Sequence, residues 1–411
     1  MRIQNYFNFA YKENHLLYKH AVSWTQGMIK IAYQFYEFFA GGGMARIGLG
    51  ESWQCTFAND IDSRKAASYR SFFGEDSQLV VDDIANITTD QLVGTADLAW
   101  ASFPCQDLSL AGDGAGLSGN RSGTFWPFWR LITQLRNKGR APKMIVLENV
   151  YGAITSNGGR DLSAIIEAII ARGYKVGSIV VDAVHFLPQS RVRLFIIAVD
   201  VKMAIPRHLL SDEPTHQWHP ASLGNVYDLC SESARSNWLW WNLPTPPIVD
   251  MSIVDLIEDD PDNVKWHTPL ETQRLLGMMT PLNLAKVETA KRTGKIQIGA
   301  LYKRTRTDAD GVKRQRAEVR FDDVVGCLRT PIGGSSRQTL LIVNEEKVHS
   351  RLLSPREAAR LMGLPETYTL PRNYNEAYHL IGDGVAVPVV NYLSQNILMP
   401  MLNVIHIEIV A

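Results

Sequence analysis

Ala96-Asp97-Leu98-Ala99-Trp100-Ala101-Ser102-Phe103-Pro104-Cys105-Gln106 sets the first constraint on this chain. The run Ala96 to Phe103 is mostly apolar and reads as a buried strand. The Pro-Cys pair behind it puts a thiol at the C-terminal edge of a sheet, where open α/β folds hold their ligands. Further on, a second apolar run, Met144 to Leu147, ends in Glu148-Asn149-Val150. A cysteine nucleophile and a carboxylic acid then stand at the ends of two strands. Attack on an electron-poor ring needs that pair: a thiolate to add, and an acid to protonate the ring as charge develops. Read singly, each signal has a plainer meaning. A cysteine after a strand is also a small core residue, and a glutamate there is also a cap.

The flanking sequence supplies the sheet. Short apolar runs at Phe35–Ala40, Trp53–Asn59, Leu79–Val81, Leu98–Phe103, Met144–Leu147, Val176–Val181 and Leu194–Val199 alternate with helical segments. That is the rhythm of βαβ units with helices on both faces. Ile165–Ile170 reads as a crossover helix. After residue 204 the rhythm stops. Residues 205–265 are rich in Pro and Trp, and 281–320 hold eleven Lys/Arg against four Asp/Glu, a local net charge of +7. Ile332–Gln338 is a glycine- and serine-bearing loop followed by a strand, Thr339–Val343. The expected division is an N-terminal extension over 1–30, a catalytic cofactor-binding domain over 31–204, a second domain over 205–345, and a segment over 346–411 that returns to the first. Residues 1–30 read either as a helix docked on the domain or as a poorly ordered arm.

Composition narrows the class. The chain has 411 residues, 45% of them hydrophobic, enough for a full α/β core and a second domain. Lys+Arg and Asp+Glu are equal at 42 each, so any nucleic-acid surface must be local. Cys55, Cys105, Cys230 and Cys327 show no C-x-x-C spacing, which argues against a metal site or disulfide framework and for a reducing compartment. No stretch approaches the apolar length of a bilayer span, so no membrane partner is expected. The first residues do not read as a secretory signal, and cytoplasm is the default.

The order of motifs is more telling than any one of them. Phe38-Phe39-Ala40-Gly41-Gly42-Gly43 is followed by Pro104-Cys105-Gln106, Glu148-Asn149-Val150 and Gln189-Ser190-Arg191-Val192-Arg193. Far downstream come Ser354-Pro355-Arg356-Glu357-Ala358-Ala359-Arg360-Leu361-Met362-Gly363-Leu364-Pro365 and Gly382-Asp383-Gly384-Val385. Together these resemble the DNA (cytosine-5) methyltransferase family, bacterial or phage restriction–modification type, over roughly residues 34–200 and 325–400. The resemblance implies an α/β fold: a Rossmann-like S-adenosylmethionine-dependent methyltransferase sheet with a smaller target-recognition domain.

It also implies roles. Phe39, Ala40, Gly41 and Gly43 would hold the methionine part of S-adenosylmethionine, although the spacing that ends in glycine in the family has Met44 here. Asp60 would take the ribose, Ile61 the adenine face, and Asp83 with Ile84 the adenine edge. Taken alone, the glycines fit a strand-to-helix turn and Asp60 fits a cap before Ser63. Cys105 would attack C6 of cytosine. Pro104 would stiffen that turn beside the cofactor, and the loop Asp107–Gly123, with five glycines, would close over the substrate. Glu148 would bond N3 and the amino group, with Asn149 orienting the loop behind it. Arg193 would lie near the cytosine and Arg191 would organise the site. The family's Arg-Gly-Thr element is expanded to Arg121-Ser122-Gly123-Thr124, its Thr-Leu is Cys327-Leu328, and its Gly-Asn is Gly382-Asp383. Asp383 and Val385 are still assigned to the cofactor, and Cys327 to packing.

A duplex cytosine must leave the stack before a thiol can reach it. The basic run at 281–320 would contact phosphates, or is a solvated charged face, and the Gly333–Gln338 loop would contact base edges. The expected partner is double-stranded DNA, read by a monomer, with a cognate restriction endonuclease encoded separately. The rival functions are an RNA cytosine C5 methyltransferase and a non-catalytic DNA-binding paralogue.

Overall fold

The computed structural model describes residues 32–75, 78–104, 123–246, 251–307, 311–328 and 337–403. The chain divides into Met1–Ala32 and Tyr33–Ala411, and the fold described is that of the second unit. The calls on residues 1–30, Cys105, the Asp107–Gly123 loop up to Ser122, and Gly333–Ser336 fall outside the described residues.

β1 (Tyr33–Phe38), β2 (Trp53–Asp60), β3 (Leu79–Val81), β4 (Leu98–Ala101), β5 (Met144–Val150), β6 (Tyr174–Asp182) and β7 (Val192–Asp200) form one sheet in the order β3-β2-β1-β4-β5-β7-β6. β1 to β5 are parallel throughout. All of β4 and the first six residues of β5 are buried, as strands covered on both faces must be. The chain winds outward from β1 to β3 and then returns to β4 on the other side of β1. That reversal opens a crevice at the C-terminal ends of β1 and β4, the usual ligand position in such sheets.

The uniform βαβ rhythm expected from sequence breaks at the far edge. β7 is antiparallel to both β5 and β6. The link between β6 and β7 holds one short turn, Ala183–His185, and is too short for a parallel crossover.

Helices Phe125–Asn137 and Arg160–Ile170 cover one face through Phe128, Leu131, Ile132, Ile165, Ile166 and Ile169. The other face is closed by the C-terminal segment, through Tyr378, Leu380, Ile381, Val389, Val390 and Leu393. That helical run, Tyr374–Asn403, is long and apolar enough by composition to cross a bilayer, contrary to the expectation above, yet 61% of its most apolar stretch is buried in the fold. Its apolarity serves the core.

The expected boundary at 205 does not match the packing. β8 (Leu210–Ser211) and β9 (Trp240–Trp241) pair with each other, and Trp218, Leu223, Val226, Trp238 and Trp241 are buried in the cores of the large sheet. A separate small core begins at helix Pro269–Gly277 and includes Leu275, Met279, Val287, Leu301, Val319 and Leu341. It is built on β10 (Gln297–Thr307), β11 (Lys313–Arg320), β12 (Thr339–Asn344) and β13 (Lys347–Leu352), an antiparallel sheet in the order β11-β10-β12-β13. The sheet thus runs past residue 345.

A buried ion pair ties this sheet to the catalytic core. Arg351 on β13 forms a two-pronged contact with Glu357, at 2.6 and 2.8 Å, with both side chains fully buried. Glu357 also accepts from the backbone amides of Ser354 and Glu258, so the remaining lone pairs of this enclosed carboxylate are used. Ser354 and Glu357 form the capping box of helix Pro355–Arg360.

Candidate active site

The glycine loop leaves β1 at Phe38 and turns through backbone conformations that favour glycine. Gly41 and Gly43 have φ of 53° and 77°, and Phe39 is itself held at φ 56°. The Ala40 amide donates to the Asn59 carbonyl (2.9 Å), and the Gly42 carbonyl accepts from the Tyr368 hydroxyl (2.8 Å). A side chain on Gly43 would collide with the rings of Phe73 and Tyr69. Gly43→Ala should therefore lose on the order of 3 kcal/mol of stability from strain and overpacking together. Gly50→Ala, at φ 78° with nothing within 4 Å, carries only the strain and should lose about 1 kcal/mol. Urea denaturation of the two variants checks the difference.

Behind this loop lies Glu37 on β1, an acid the sequence reading passed over. Its carboxylate accepts from the Arg46 amide (3.1 Å) and the Tyr69 hydroxyl (2.9 Å). Helix Met44–Leu49 has no cap from Gly43, so Glu37 satisfies its first turn from the neighbouring strand. Burial pushes the Glu37 carboxyl up to about 7 from 4.5, against the lowering effect of Tyr69 and Arg46. An acid with a raised folded pKa binds more protons in the fold than in the unfolded chain. Its contribution to stability is therefore present below about 4.5 and lost as pH rises towards about 7. Thermal melts of Glu37→Gln should lack this decline between those two pH values, and a profile identical to wild type would contradict it.

The acids and apolar residues expected at the cofactor surround the loop. Asp60 ends β2 with its Oδ2 accepting from the Gly41 amide (2.7 Å) and its Oδ1 from Asp62 (2.8 Å). Each oxygen keeps a second lone pair. Ile61 is 68% exposed beside it. Asp83 is exposed and caps the turn Ile84–Asn86 through Oδ1, while Ile84 is buried below. Asp383 reaches Lys65 (2.7 Å), and Val385 is buried in the core. Met44 packs against Gly384, where any side chain would meet its sulfur, so the residue replacing the family glycine helps seat the Gly382–Gly384 turn.

Pro104 ends the described part of the β4 turn and is exposed. Asn149, at the end of β5, donates to the Phe103 carbonyl (3.0 Å) and thereby ties the two strand ends together. Glu148 is buried, and its Oε1 pairs with Arg193 Nε at 3.0 Å. Arg191 is enclosed among backbone carbonyls: Leu328 (3.2 Å), Gly382 (2.9 Å) and Gly384 (2.5 Å). Burial, and secondly Arg193, push its guanidinium down to about 10, which leaves it charged at neutral pH. Arg191 thereby joins the start of β7 to Leu328 and to the Gly382–Gly384 turn. Cys327, expected only to pack, stands between the two guanidiniums, with its Sγ 3.4 Å from Arg191 Nη1 and 3.9 Å from both Nη atoms of Arg193. Its place in the Thr-Leu position was the one sequence signal for it.

The expected site residues among the described ones, Gly43 excepted, face one cleft of about 2000 Å³. Gly41, Asp60, Ile61 and Asp83 line one end, and Pro104, Thr124, Glu148 and Arg193 line the middle. The opposite wall comes from the small domain, through Lys286, Tyr302, Arg304, Arg306, Arg316 and Glu318. The Thr124 hydroxyl is buried there with no hydrogen-bond partner among the described residues.

The family model for C-5 cytosine-specific DNA methylase matches residues 33–399. Type II methyltransferase M1.ScrFI of Lactococcus lactis subsp. cremoris is 26% identical over 371 residues, which cover 89% of this chain and 78% of the relative. M.HhaI of Haemophilus parahaemolyticus is 23% identical, with 89% and 94% covered. The fold is similar to those of the S. pombe Dnmt2 methyltransferase (TM-score 0.56, 17% identity, 90% of this chain and 99% of that one) and of Spodoptera frugiperda DNMT2 (0.57, 17%, 90% and 100%). With the family model spanning the large sheet, the cleft and the small domain alike, the chain belongs to the C-5 cytosine-specific DNA methylases and is a DNA (cytosine-5-)-methyltransferase.

Proposed function

We propose that this protein transfers a methyl group from S-adenosylmethionine to C5 of a cytosine flipped out of a specific site in duplex DNA, through a covalent Cys105 adduct at C6. The single observation that carries the reading is the continuity of the cleft. A glycine-rich pocket, the Glu148–Arg193 pair and an arginine-bearing wall open into one space.

The residues present fit the cofactor. Gly41, with nothing within 4 Å of where a side chain would stand, lets the backbone approach a ligand closely, and Gly43 lets the loop turn against Tyr69 and Phe73. Asp60 has lone pairs for a ribose diol, and Ile61 offers an exposed apolar face for adenine. The orphaned Thr124 hydroxyl offers a polar contact within the cleft. When bound, S-adenosylmethionine supplies an electrophilic methyl group on a sulfonium.

The chain's own groups do the rest. The Cys105 thiolate adds to C6, which makes C5 nucleophilic. Glu148 bonds the amino group and supplies the proton at N3, so that charge does not build up on the ring. Arg193 fixes the Glu148 carboxylate through Nε and balances its charge in a buried setting. After transfer, a base removes the C5 proton and the Cys105–C6 bond breaks to restore the aromatic ring and the thiol. Asn149 keeps the Pro104 turn registered to β5 during this sequence. Flipping the base costs a few kcal/mol, which contacts from the basic wall offset.

Double-stranded DNA is the proposed partner, with the protein acting as a monomer in the cytoplasm and a cognate endonuclease encoded separately. Transfer of labelled methyl groups to unmethylated DNA and to tRNA, run side by side, tests the reading. Label in DNA cytosine supports it; label in tRNA alone moves the activity to RNA; label in neither makes the chain a DNA-binding relative without activity.

A further inference from the structure

Where the family carries a neutral Gly-Asn, this chain has Gly382-Asp383, and the added charge does not stand alone. Lys65, in the first turn of helix Ser63–Phe73, places its Nζ 2.7 Å from Asp383 Oδ2. Both residues line the cleft. Lys65 follows Asp60 and Ile61 closely in the chain. Gly384, next to Asp383, packs on Met44, the residue after the glycine loop. The pair therefore stands beside both the acid proposed for the ribose and the loop proposed for the methionine part.

The turn under Asp383 is held firmly. Arg191 Nη2 donates to the Gly382 and Gly384 carbonyls (2.9 and 2.5 Å), and the Gly384 amide donates to the Ile381 carbonyl (3.2 Å). These bonds fix the backbone and spend the Nη2 donors of Arg191. Lys65 supplies the cation that reaches the Asp383 side chain. The Lys65 side chain is 20% exposed and that of Asp383 45% exposed. An ion pair this accessible adds little to the stability of a fold. An ammonium has three donors and a carboxylate two accepting oxygens, so each partner keeps capacity for a ligand.

The chemistry of the exchange points to what that ligand carries. An asparagine side chain both donates and accepts, so it can serve either charge of an amino acid. An aspartate only accepts. It suits an α-ammonium and repels an α-carboxylate, and S-adenosylmethionine carries both groups on one carbon. Lys65 returns the donor that the exchange of amide for carboxylate removes. A cation and an anion side by side are complementary to a zwitterion laid across them, with charges alternating around the contact.

We propose that Lys65 and Asp383 together bind the zwitterionic amino-acid end of the cofactor, Lys65 taking its α-carboxylate and Asp383 its α-ammonium. The pair thereby sets a preference for the intact amino acid over nucleosides that lack one of the two charges. This rests on the S-adenosylmethionine reading and adds Lys65, a residue outside the family motifs.

The test is calorimetric binding to the full-length protein, without turnover. Wild type, Lys65→Met, Asp383→Asn and the double variant are titrated with three probes. S-adenosylmethionine has both charges, decarboxylated S-adenosylmethionine keeps the ammonium alone, and 5′-methylthioadenosine has neither. The expected result is that Lys65→Met weakens S-adenosylmethionine by about 10-fold, the lower end for a charged hydrogen bond because the pair is partly exposed. The same variant does not weaken the other two probes. Asp383→Asn weakens the decarboxylated cofactor. Added to Lys65→Met, it recovers part of the lost affinity for S-adenosylmethionine, because the repelling carboxylate is gone and an amide donor has returned. Single variants that weaken all three probes alike, with no recovery in the double variant, mean that the pair only braces the turn and overturn the inference. Variants that bind every probe as wild type does overturn it too. A wild-type protein that binds none of the three overturns the cofactor reading itself, and the inference with it.

Discussion

Cys105→Ala should abolish methyl transfer and leave S-adenosylmethionine binding within a few-fold of wild type. The thiol is the only group assigned to make a bond to the substrate. Without it C5 of cytosine is a poor nucleophile, and an alanine offers no substitute. Loss of a covalent nucleophile costs ~10³-fold or more in turnover. The end of the cleft proposed for the cofactor is built from other elements: the loop after β1, Asp60 and Ile61 at the end of β2, and Asp83 after β3. None of these depends on the thiol. Single-turnover methyl transfer and calorimetric cofactor binding read the two halves separately. Substantial turnover by the variant would remove Cys105 from the mechanism, whereas loss of cofactor binding along with activity would mean that the turn itself had been disturbed.

Glu148→Gln should lower the transfer rate by ~10²- to 10⁴-fold, the range for loss of a positioned acid or base. The change keeps the shape of the side chain but removes its charge and its proton. It also leaves Arg193 without an anionic partner at 3.0 Å, in a site where both side chains are at most 12% exposed. An uncompensated buried charge is costly, so the variant should melt earlier than wild type as well. Cofactor affinity should change little, since Glu148 is assigned to the base and makes its ion pair with Arg193, away from the glycine loop. Wild-type turnover in this variant would contradict the assigned contact with N3.

Placement at the strand ends was more legible in the sequence than the edges of the fold. Phe39–Gly43, Asp60, Asp83, Pro104 and Glu148 lie at the ends of successive parallel strands beside the reversal in strand order. An apolar run followed by a functional residue is therefore enough to bring them together. Strand direction is not written in such a run, which is why β7 looked like one more parallel strand. The Trp-rich stretch after 205 resembled a separate domain because its composition is unusual. Trp218, Trp238 and Trp241 are instead spent covering the large sheet, and only packing reveals that. Glu37 shows the converse. An acid in the middle of an apolar strand gave no sign that it caps a helix behind the glycine loop. The arginine face shared by β10 and β11 was hidden for a related reason. The alternation at 304, 306, 314 and 316 is visible in one dimension, but the opposition of like charges exists only once the register is known.

The most direct test of the account is trapping. A covalent adduct at C6 can be released only after C5 loses a proton, and fluorine at C5 cannot leave as one. A duplex carrying 5-fluorocytosine at the target position should form a complex with this protein that survives denaturation, requires S-adenosylmethionine and maps to Cys105. Glu148→Gln should slow its formation, and matched RNA should trap poorly if the small domain reads duplex DNA grooves, since side chains cannot read the deep, narrow A-form major groove. The absence of any stable complex on a site that the protein demonstrably methylates would contradict the covalent mechanism.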